Sequence, residues 1–408
     1  MRATLLLAGP LLVAALAGIP AAGSAGSADP GVTAEKILLG GTAPLTGPAS
    51  TSAAFARGAE AYFEHVNARG GVNGRTIVYR YVDDADDPAQ TLEATRRLVE
   101  EDRVFAILNS VDTAHNLATR DYLNRLKVPQ LFVASGAAAF GRDHRRYPYT
   151  IGFQPSNRAE GWIYGAYLAR TKPEAKVGVL FQNDELGKEL IAGLRQGIAR
   201  SKVKLVALEG YEVIDGDVEA QIARLKASGA NTLALFATAT VAVQAYTVAN
   251  RLGWRPLTVV STAASASRVM ASAAVGGASR SVEGSISISY LKDPVDPRWR
   301  ADAAMRLYRT VLARYASGAN ARDVGHVYGM AVAYETVRLL KATGKTPTRA
   351  AVAAQLRRLS DASNPFLLPG ITIRTSASKR FPIEQARLQR WSKGSWRSFG
   401  GLWRHPAG

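Results

Sequence analysis

Two short loops rich in serine, glycine and alanine are the segments of this chain best suited to bind an anion. The first reads NSVDTAHN after Leu108, and the second reads ASGAAAFG after Val133. Small residues let backbone N–H donors approach an anion, and the N-terminus of a following helix adds a favourable dipole. Such residues are also typical of tight strand-to-helix turns, so composition leaves both interpretations open. The candidate ligand-binding residues in these loops are Ser110, Thr113, Ser135, Gly136 and Ala137.

Motifs for catalysis are missing from the sequence. It has no cysteine, no G-x-S-x-G or H-E-x-x-H motif and no G-x-G-x-x-G fingerprint. The tripeptide Gly344-Lys345-Thr346 is similar to the end of a phosphate-binding loop, but Leu339 stands where that loop requires a glycine. The five histidines have no metal-ligand spacing: His65, His115, His144, His326 and His405. The sequence therefore predicts neither an enzyme nor a cofactor.

An acidic cluster between residues 83 and 87 could be considered as a metal site. Its members are Asp83, Asp84, Asp86 and Asp87. The cluster lacks the spacing of a calcium loop. Asp87 directly precedes Pro88, where an acidic side chain caps a helix and complements its dipole. A structural role is therefore favoured over metal binding.

The candidate loops belong to a chain of alternating strands and helices. The first unit is a strand at Ile37 to Leu39, a hydroxyl-rich loop that includes Thr51 and Ser52, a helix that ends at Gly70 and Gly71, and a strand at Thr76 to Val82. Such alternation predicts an α/β fold with parallel sheets covered by helices on both faces. Ligands bind such sheets beyond the carboxyl ends of the strands, which is where the candidate loops lie.

Chain length, net charge and the N-terminal residues limit the classes of protein to which this chain can belong. The chain of 408 residues is long enough for two domains, and its arginines are scattered among acidic residues despite a net charge of +18, which argues against nucleic acid. Arg2, the apolar run Leu5 to Ile19 and the small residues after it form the pattern of a secretory signal peptide, so residues 1–28 are predicted to be removed. We expect a protein of the periplasm or extracytoplasmic space without membrane insertion.

The unit from Ile37 to Gln90, with ILLGGTAPLTGP and NARGGVNGRTIVYRYVDDADDPAQ, resembles the opening of bacterial solute-binding proteins for branched-chain and other hydrophobic amino acids. These leucine/isoleucine/valine-binding-protein-like chains have the type I periplasmic binding fold and serve ABC importers. The resemblance implies two Rossmann-like lobes joined by a multi-strand hinge. It places lobe 1 at residues 29–151 and 288–365, and lobe 2 at residues 152–287 and 366–408. It also implies permease subunits as partners.

The resemblance places ligand-binding residues in both lobes. Lobe 1 contributes the hydroxyl loop and the two small-residue loops, and lobe 2 contributes Asn183, Leu186 and Thr238. Related proteins have aromatic residues at the positions of Leu186 and Thr238, and a threonine at the position of Ala137. The cysteines of a common disulfide correspond to Asp86 and Asn109.

The departures from the family bear on the ligand. The acidic residue that pairs with the ligand ammonium in relatives would fall near Thr262 to Ala264, and no carboxylate stands between Ser261 and Ser267. Because an unpaired buried ammonium is costly, this argues against an α-amino acid. The favoured function is therefore an importer's binding component for an aromatic or hydrophobic acid. The alternatives are a branched-chain amino acid paired with Asp112 or Asp184, and a periplasmic ligand sensor of the same fold.

Overall fold

A computed structural model describes residues 29–47, 49–212 and 217–406. The predicted signal peptide, residues 1–28, lies outside these residues. The described chain alternates strands and helices, which confirms the predicted α/β class. The strands are β1 Lys36–Ala43, β2 Thr76–Asp83, β3 Ala106–Leu108, β4 Gln130–Val133, β5 Thr150–Gly152, β6 Lys176–Gln182, β7 Lys204–Tyr211, β8 Thr232–Phe236, β9 Leu257–Val260, β10 Ile286–Ser289, β11 Ser360–Asp361, β12 Ile373–Arg374, β13 Gln385–Ser392 and β14 Ser395–Arg404.

The helices follow the predicted rhythm between these strands. They are α1 Ala53–Asn67, α2 Pro88–Glu100, α3 Thr113–Arg125, α4 Ala139–Arg142, α5 Asn157–Thr171, α6 Glu185–Ile198, α7 Glu219–Ala227, α8 Ala239–Arg251, α9 Ser267–Ala273, α10 Ser279–Val282, α11 Ala303–Tyr315, α12 Val324–Ala342 and α13 Arg349–Gln355. Shorter helical turns occupy Ser50–Ser52, Thr262–Ala264, Ala274–Ala278 and Pro297–Trp299. No helix among the described residues is long and apolar enough to cross a bilayer.

The described strands form two main sheets. The first has the order β2-β1-β3-β4-β5, and all of its pairings are parallel. The second has the order β14-β13-β10-β9-β8-β6-β7, in which the pairings from β10 to β7 are parallel. Strands β13 and β14 add to one edge of it in antiparallel pairs. Within each sheet, the carboxyl ends of the parallel strands therefore lie along one edge.

Separate hydrophobic cores cover the two sheets. Helices α1, α11 and α12 pack on the first sheet, and the core there extends to Phe366, Ile373 and Ile383. Helices α5 and α6 cover one face of the second sheet, and α7 and α8 cover the other face. The predicted boundaries of the two lobes stay a prediction.

Local signals placed several element ends correctly. The carboxylate of Asp87 accepts hydrogen bonds from the backbone N–H groups of Ala89 and Gln90 at 2.7 and 3.0 Å, which confirms it as the cap of α2. Helix α1 ends at Asn67, and Gly70 and Gly71 follow it with φ of +92° and +69°. Such positive φ values are accessible to glycine without steric cost. Among the described residues, no group of three or more His, Cys, Asp or Glu side chains could hold a metal ion.

Two expectations for the C-terminal half differ from the structure. The apolar pattern of the sequence predicts a helix from Trp299 to Ala316, but α11 begins at Ala303 because the Asp302 carboxylate caps it by accepting from the Met305 N–H at 3.0 Å. The density of basic residues between Arg374 and Arg404 predicts the solvated face of a small sheet. Arg387, Arg390, Arg397 and Arg404 instead lie on β13 and β14, which extend the seven-stranded second sheet.

Candidate ligand-binding site

The small-residue loops meet beside each other because β3 and β4 are neighbouring parallel strands. The Ser110 hydroxyl oxygen accepts a hydrogen bond from the backbone N–H of Thr42 at 3.1 Å, which ties the loop after β3 to β1. The hydroxyls of Thr113 and Ser135 lie 2.7 Å apart and share a hydrogen bond across the two loops. The structure thus brings together Ser110, Thr113 and Ser135, three of the predicted residues, at the carboxyl end of the first sheet.

The loop after β4 packs against the start of α5. The backbone N–H of Asn157 donates to the Gly136 carbonyl at 2.7 Å. A Cβ atom at Gly136 would stand 2.3 Å from the side-chain oxygen of Asn157, so this close approach requires glycine. The Ser135 hydroxyl accepts a hydrogen bond from the backbone N–H of Ala137 at 3.1 Å. One predicted donor to a ligand carboxylate is therefore engaged by its own loop.

A carboxylate from α6, which covers the second sheet, already binds this loop. The backbone N–H of Ala138 donates to both side-chain oxygens of Glu189 on α6, each at 2.9 Å. The side-chain amide of Asn157 donates to the same carboxylate at 3.2 Å. Glu189 is buried, and burial raises its pKa to about 7, with Glu185 acting in the same direction. Sequence inspection missed Glu189, because nothing local to α6 indicates its partner 51 residues away.

Two of the residues predicted for lobe 2, Asn183 and Thr238, lie just beyond the carboxyl ends of β6 and β8, and Leu186 lies in the first turn of α6. The Asn183 side-chain amide donates to Glu212 at 2.6 Å, and half-buried Leu186 packs against the core under α6. The backbone N–H of Thr238 lies 2.9 Å from the hydroxyl oxygen of Tyr211, which accepts its hydrogen bond. Tyr211 is a buried tyrosine that sequence inspection missed, and it arrives from the end of β7.

The two acids considered as ammonium partners serve as helix caps. The Asp112 carboxylate accepts a hydrogen bond from the Ala114 N–H at 3.1 Å at the start of α3. The Asp184 carboxylate accepts from the Gly187 N–H at 3.3 Å at the start of α6. Both carboxylates therefore have structural partners in this conformation.

A third carboxylate reaches the stretch that has none in its own sequence. Glu160 on α5 accepts hydrogen bonds from the backbone N–H and the hydroxyl of Thr262, both at 2.7 Å, and from the Tyr164 hydroxyl at 2.8 Å. Burial raises the pKa of Glu160, while these hydrogen bonds act in the opposite direction. The stretch from Ser261 to Ser267 has no acid of its own, but Glu160, 102 positions before Thr262, supplies a carboxylate there. Three hydrogen bonds already occupy its oxygens.

The hydroxyl loop after β1 is anchored at its beginning. The Thr46 hydroxyl donates to the Asp83 carboxylate at 2.6 Å, and the backbone N–H of Leu45 donates to the same side chain at 2.8 Å. Thr51 is exposed and Ser52 is half-buried in the helical turn Ser50–Ser52, just before α1. These contacts hold the loop at the same edge of the sheet as Ser110.

A concavity of about 510 Å³ lies beside α3 and the segment after α4. Its lining residues are Arg120, Arg142, Asp143, His144, Arg145, Arg146 and Tyr147. None of them is among the predicted ligand-binding residues. The Arg120 guanidinium stacks over the Tyr147 ring at 3.8 Å and faces Asp143, so part of this basic lining is held by internal contacts.

Known proteins share both the sequence pattern and the fold. A family model described as "Periplasmic binding protein" matches residues 36–395. The "Leu/Ile/Val-binding protein homolog 2" of Brucella abortus (strain 2308) is 30% identical over 207 residues, which cover 50% of this chain and 54% of that protein. The chain thus spans about half the length of the curated relatives it matches.

Solved structures extend the likeness to nearly the whole chain. A branched-chain amino acid ABC transporter structure from Thermus thermophilus with bound valine has a TM-score of 0.80 at 19% identity, covering 91% of this chain and 97% of that one. A solute-binding protein of an ABC transporter from R. palustris in complex with benzoate has a TM-score of 0.74 at 18% identity, covering 91% and 98%. At these identities the likeness shows a shared fold. Together with the match over residues 36–395, it establishes that the chain belongs to the periplasmic binding protein family.

Proposed function

We propose that the protein is the extracytoplasmic binding component of an ABC importer and that it takes a small carboxylate ligand with an aromatic or hydrophobic body. Family membership and the resemblance of the Ile37 to Gln90 unit support the transport role. One relative's name refers to leucine, isoleucine and valine, and one structural neighbour holds benzoate. The permease subunits of the importer would then be its protein partners.

The contact between Glu189 and the loop after β4 carries the proposal for a carboxylate ligand. In this loop the Ala138 N–H donates to the Glu189 carboxylate at 2.9 Å. The loop therefore has a geometry suited to bind the carboxylate of a ligand. Ser110, Thr113 and Ser135 add hydroxyls within the same cluster of loops. A charged acceptor strengthens such hydrogen bonds, and partial burial strengthens them further. Separation of the Glu189 carboxylate from the loop would free this donor for the ligand.

The state of the available acids favours a ligand without an ammonium group. Asp112 and Asp184 cap helices, and the oxygens of Glu160 accept three hydrogen bonds. An ammonium placed here would have to share a carboxylate that these contacts already hold in place, and a buried ammonium without a counter-ion is costly. The runner-up, a branched-chain amino acid, rests on the position of the Glu160 carboxylate against Thr262.

Calorimetric titration of the exported protein with benzoate, 3-phenylpropanoate and leucine tests the proposal. We expect the two aromatic acids to bind more tightly than leucine, and benzamide, which lacks the charge, to bind at least about tenfold more weakly than benzoate, a difference of about 1.4 kcal/mol. Ser135→Trp should abolish binding by filling the loop. Thr247→Trp, on the exposed face of α8, is the matched control and should bind normally. Tight leucine binding without binding of either aromatic acid would refute the ligand class.

A further inference from the structure

Arg380 carries a buried guanidinium that has no acidic partner among the residues that the structure describes. It lies in the loop between β12 and β13, and its side chain is 1% exposed. Its Nε and Nη1 donors have no hydrogen-bond partner among the residues that the structure describes. Burial lowers the pKa of Arg380 to about 10, and the nearby positive charge of Arg357 acts in the same direction. Leaving both a charge and two donors unsatisfied in the interior is strongly unfavourable.

Arg380 borders a small gap next to the candidate site. The gap measures about 10 Å³ and is lined in part by Ser135, Gly136, Ala137, Gln154 and Ser156, together with Arg380 itself. A cavity of about this size holds one water-sized atom. Three segments therefore line the gap: the loop after β4, the segment between β5 and α5, and the loop between β12 and β13.

The chemistry of the lining identifies what this space should hold. A guanidinium has donors and no acceptor, so its neighbour in the gap must accept hydrogen bonds. Water would satisfy a donor but leave the charge uncompensated. A singly charged anion satisfies both, and Ser135, Gln154 and Ser156 are polar residues of the same lining.

We propose that Arg380 and the loop after β4 form a site for one small anionic atom, either an oxygen of the ligand carboxylate or a free chloride. In the first form the inference rests on the proposed function, and it makes Arg380 the positive charge that selects acids over neutral analogues. In the second form it stands without the proposed function, as a chloride site where three segments of the chain meet.

Anion-dependent melting of the exported protein is the first arm of the test. We expect its melting temperature to rise by a few degrees when methanesulfonate is replaced by chloride at equal ionic strength. Methanesulfonate is too bulky for the gap, whereas an anion that binds only the folded state stabilises that state. Arg380→Gln should lose this shift, and Arg380→Lys should keep part of it. Arg349→Gln is the matched control, because the Arg349 guanidinium already donates to the carbonyls of Val104 and Phe105 at 2.8 and 3.0 Å.

Benzoate titration is the second arm, and it identifies the source of the anion. If the ligand carboxylate occupies the gap, saturating benzoate removes the chloride shift and Arg380→Gln weakens benzoate binding at least tenfold. If chloride is the occupant, the shift persists with benzoate and the variant binds benzoate normally. An Arg380-dependent chloride shift in a protein that binds no acid would defeat the proposed function and leave the anion site intact. A folded Arg380→Gln protein that matches wild type in both arms would overturn the inference.

Discussion

Replacing Glu189 by glutamine should change how the stability of the protein depends on pH. The Glu189 carboxylate is buried between α6 and the loop after β4, where it accepts hydrogen bonds from Ala138 and Asn157. Burial raises its pKa from 4.5 to about 7. Glutamine keeps the shape and one acceptor oxygen but cannot ionise, so Glu189→Gln isolates the contribution of the charge.

The sign follows from the direction of the pKa shift. A folded-state pKa above the unfolded value means that the folded protein holds this proton more tightly, so the stabilisation is fully present below pH 4.5 and is lost as the pH rises through 7. The shift of about 2.5 units, at about 1.4 kcal/mol per unit, corresponds to an upper limit of about 3.5 kcal/mol. Because the carboxyl of the unfolded chain is already half ionised at pH 4.5, we expect a loss of about 2–3 kcal/mol between pH 4.5 and pH 8.5 in the wild type that the variant does not show.

Urea denaturation of both proteins between pH 4.5 and 8.5 measures this difference. Any cost of the glutamine that does not depend on pH cancels when the difference between variant and wild type is compared across the range. Relative to the wild type, the free energy of unfolding of Glu189→Gln should rise by about 2–3 kcal/mol between pH 4.5 and pH 8.5. Glu93→Gln, on the exposed face of α2, is the control and should show no such gain. A free-energy difference for Glu189→Gln that stays constant with pH would refute the reasoning.

Two further changes test the packing around the site and the second sheet. Gly136→Ala should lower the free energy of unfolding by about 1–3 kcal/mol in urea denaturation, because the new Cβ would lie 2.3 Å from the side-chain oxygen of Asn157. An unchanged free energy of unfolding would show that α5 moves away without cost. Trp396→Ala should cost about 3–5 kcal/mol by the same measurement, since this buried side chain packs on Trp391 at 5.4 Å and donates to the Ser265 carbonyl at 2.6 Å. A cost below about 1 kcal/mol would contradict that packing.

Much of the fold was accessible to inspection of the sequence because its signals are local. Strand and helix periodicity, the Asp87 cap and the Gly70-Gly71 helix end each depend on residues within a few positions of one another. The predicted start of α11 was wrong by four residues, because the apolar pattern continues across Asp302, which caps the helix. The addition of β14 to the second sheet was missed because its pairing with β13 follows from a turn at Lys393 and Gly394 that hydrophobic periodicity does not reveal.

The sequence by itself determined the class of fold, the family and the loops at the carboxyl ends of the strands, including the neighbouring Ser110, Thr113 and Ser135. Only the tertiary structure decided which charged groups meet those loops. Glu189 reaches Ala138 from α6, and Glu160 reaches Thr262 from α5 across 102 positions. Arg380 borders the same loop from the far end of the chain. Such contacts depend on how separately folded layers pack together, and no local spacing encodes the distance between residues that only packing brings into contact.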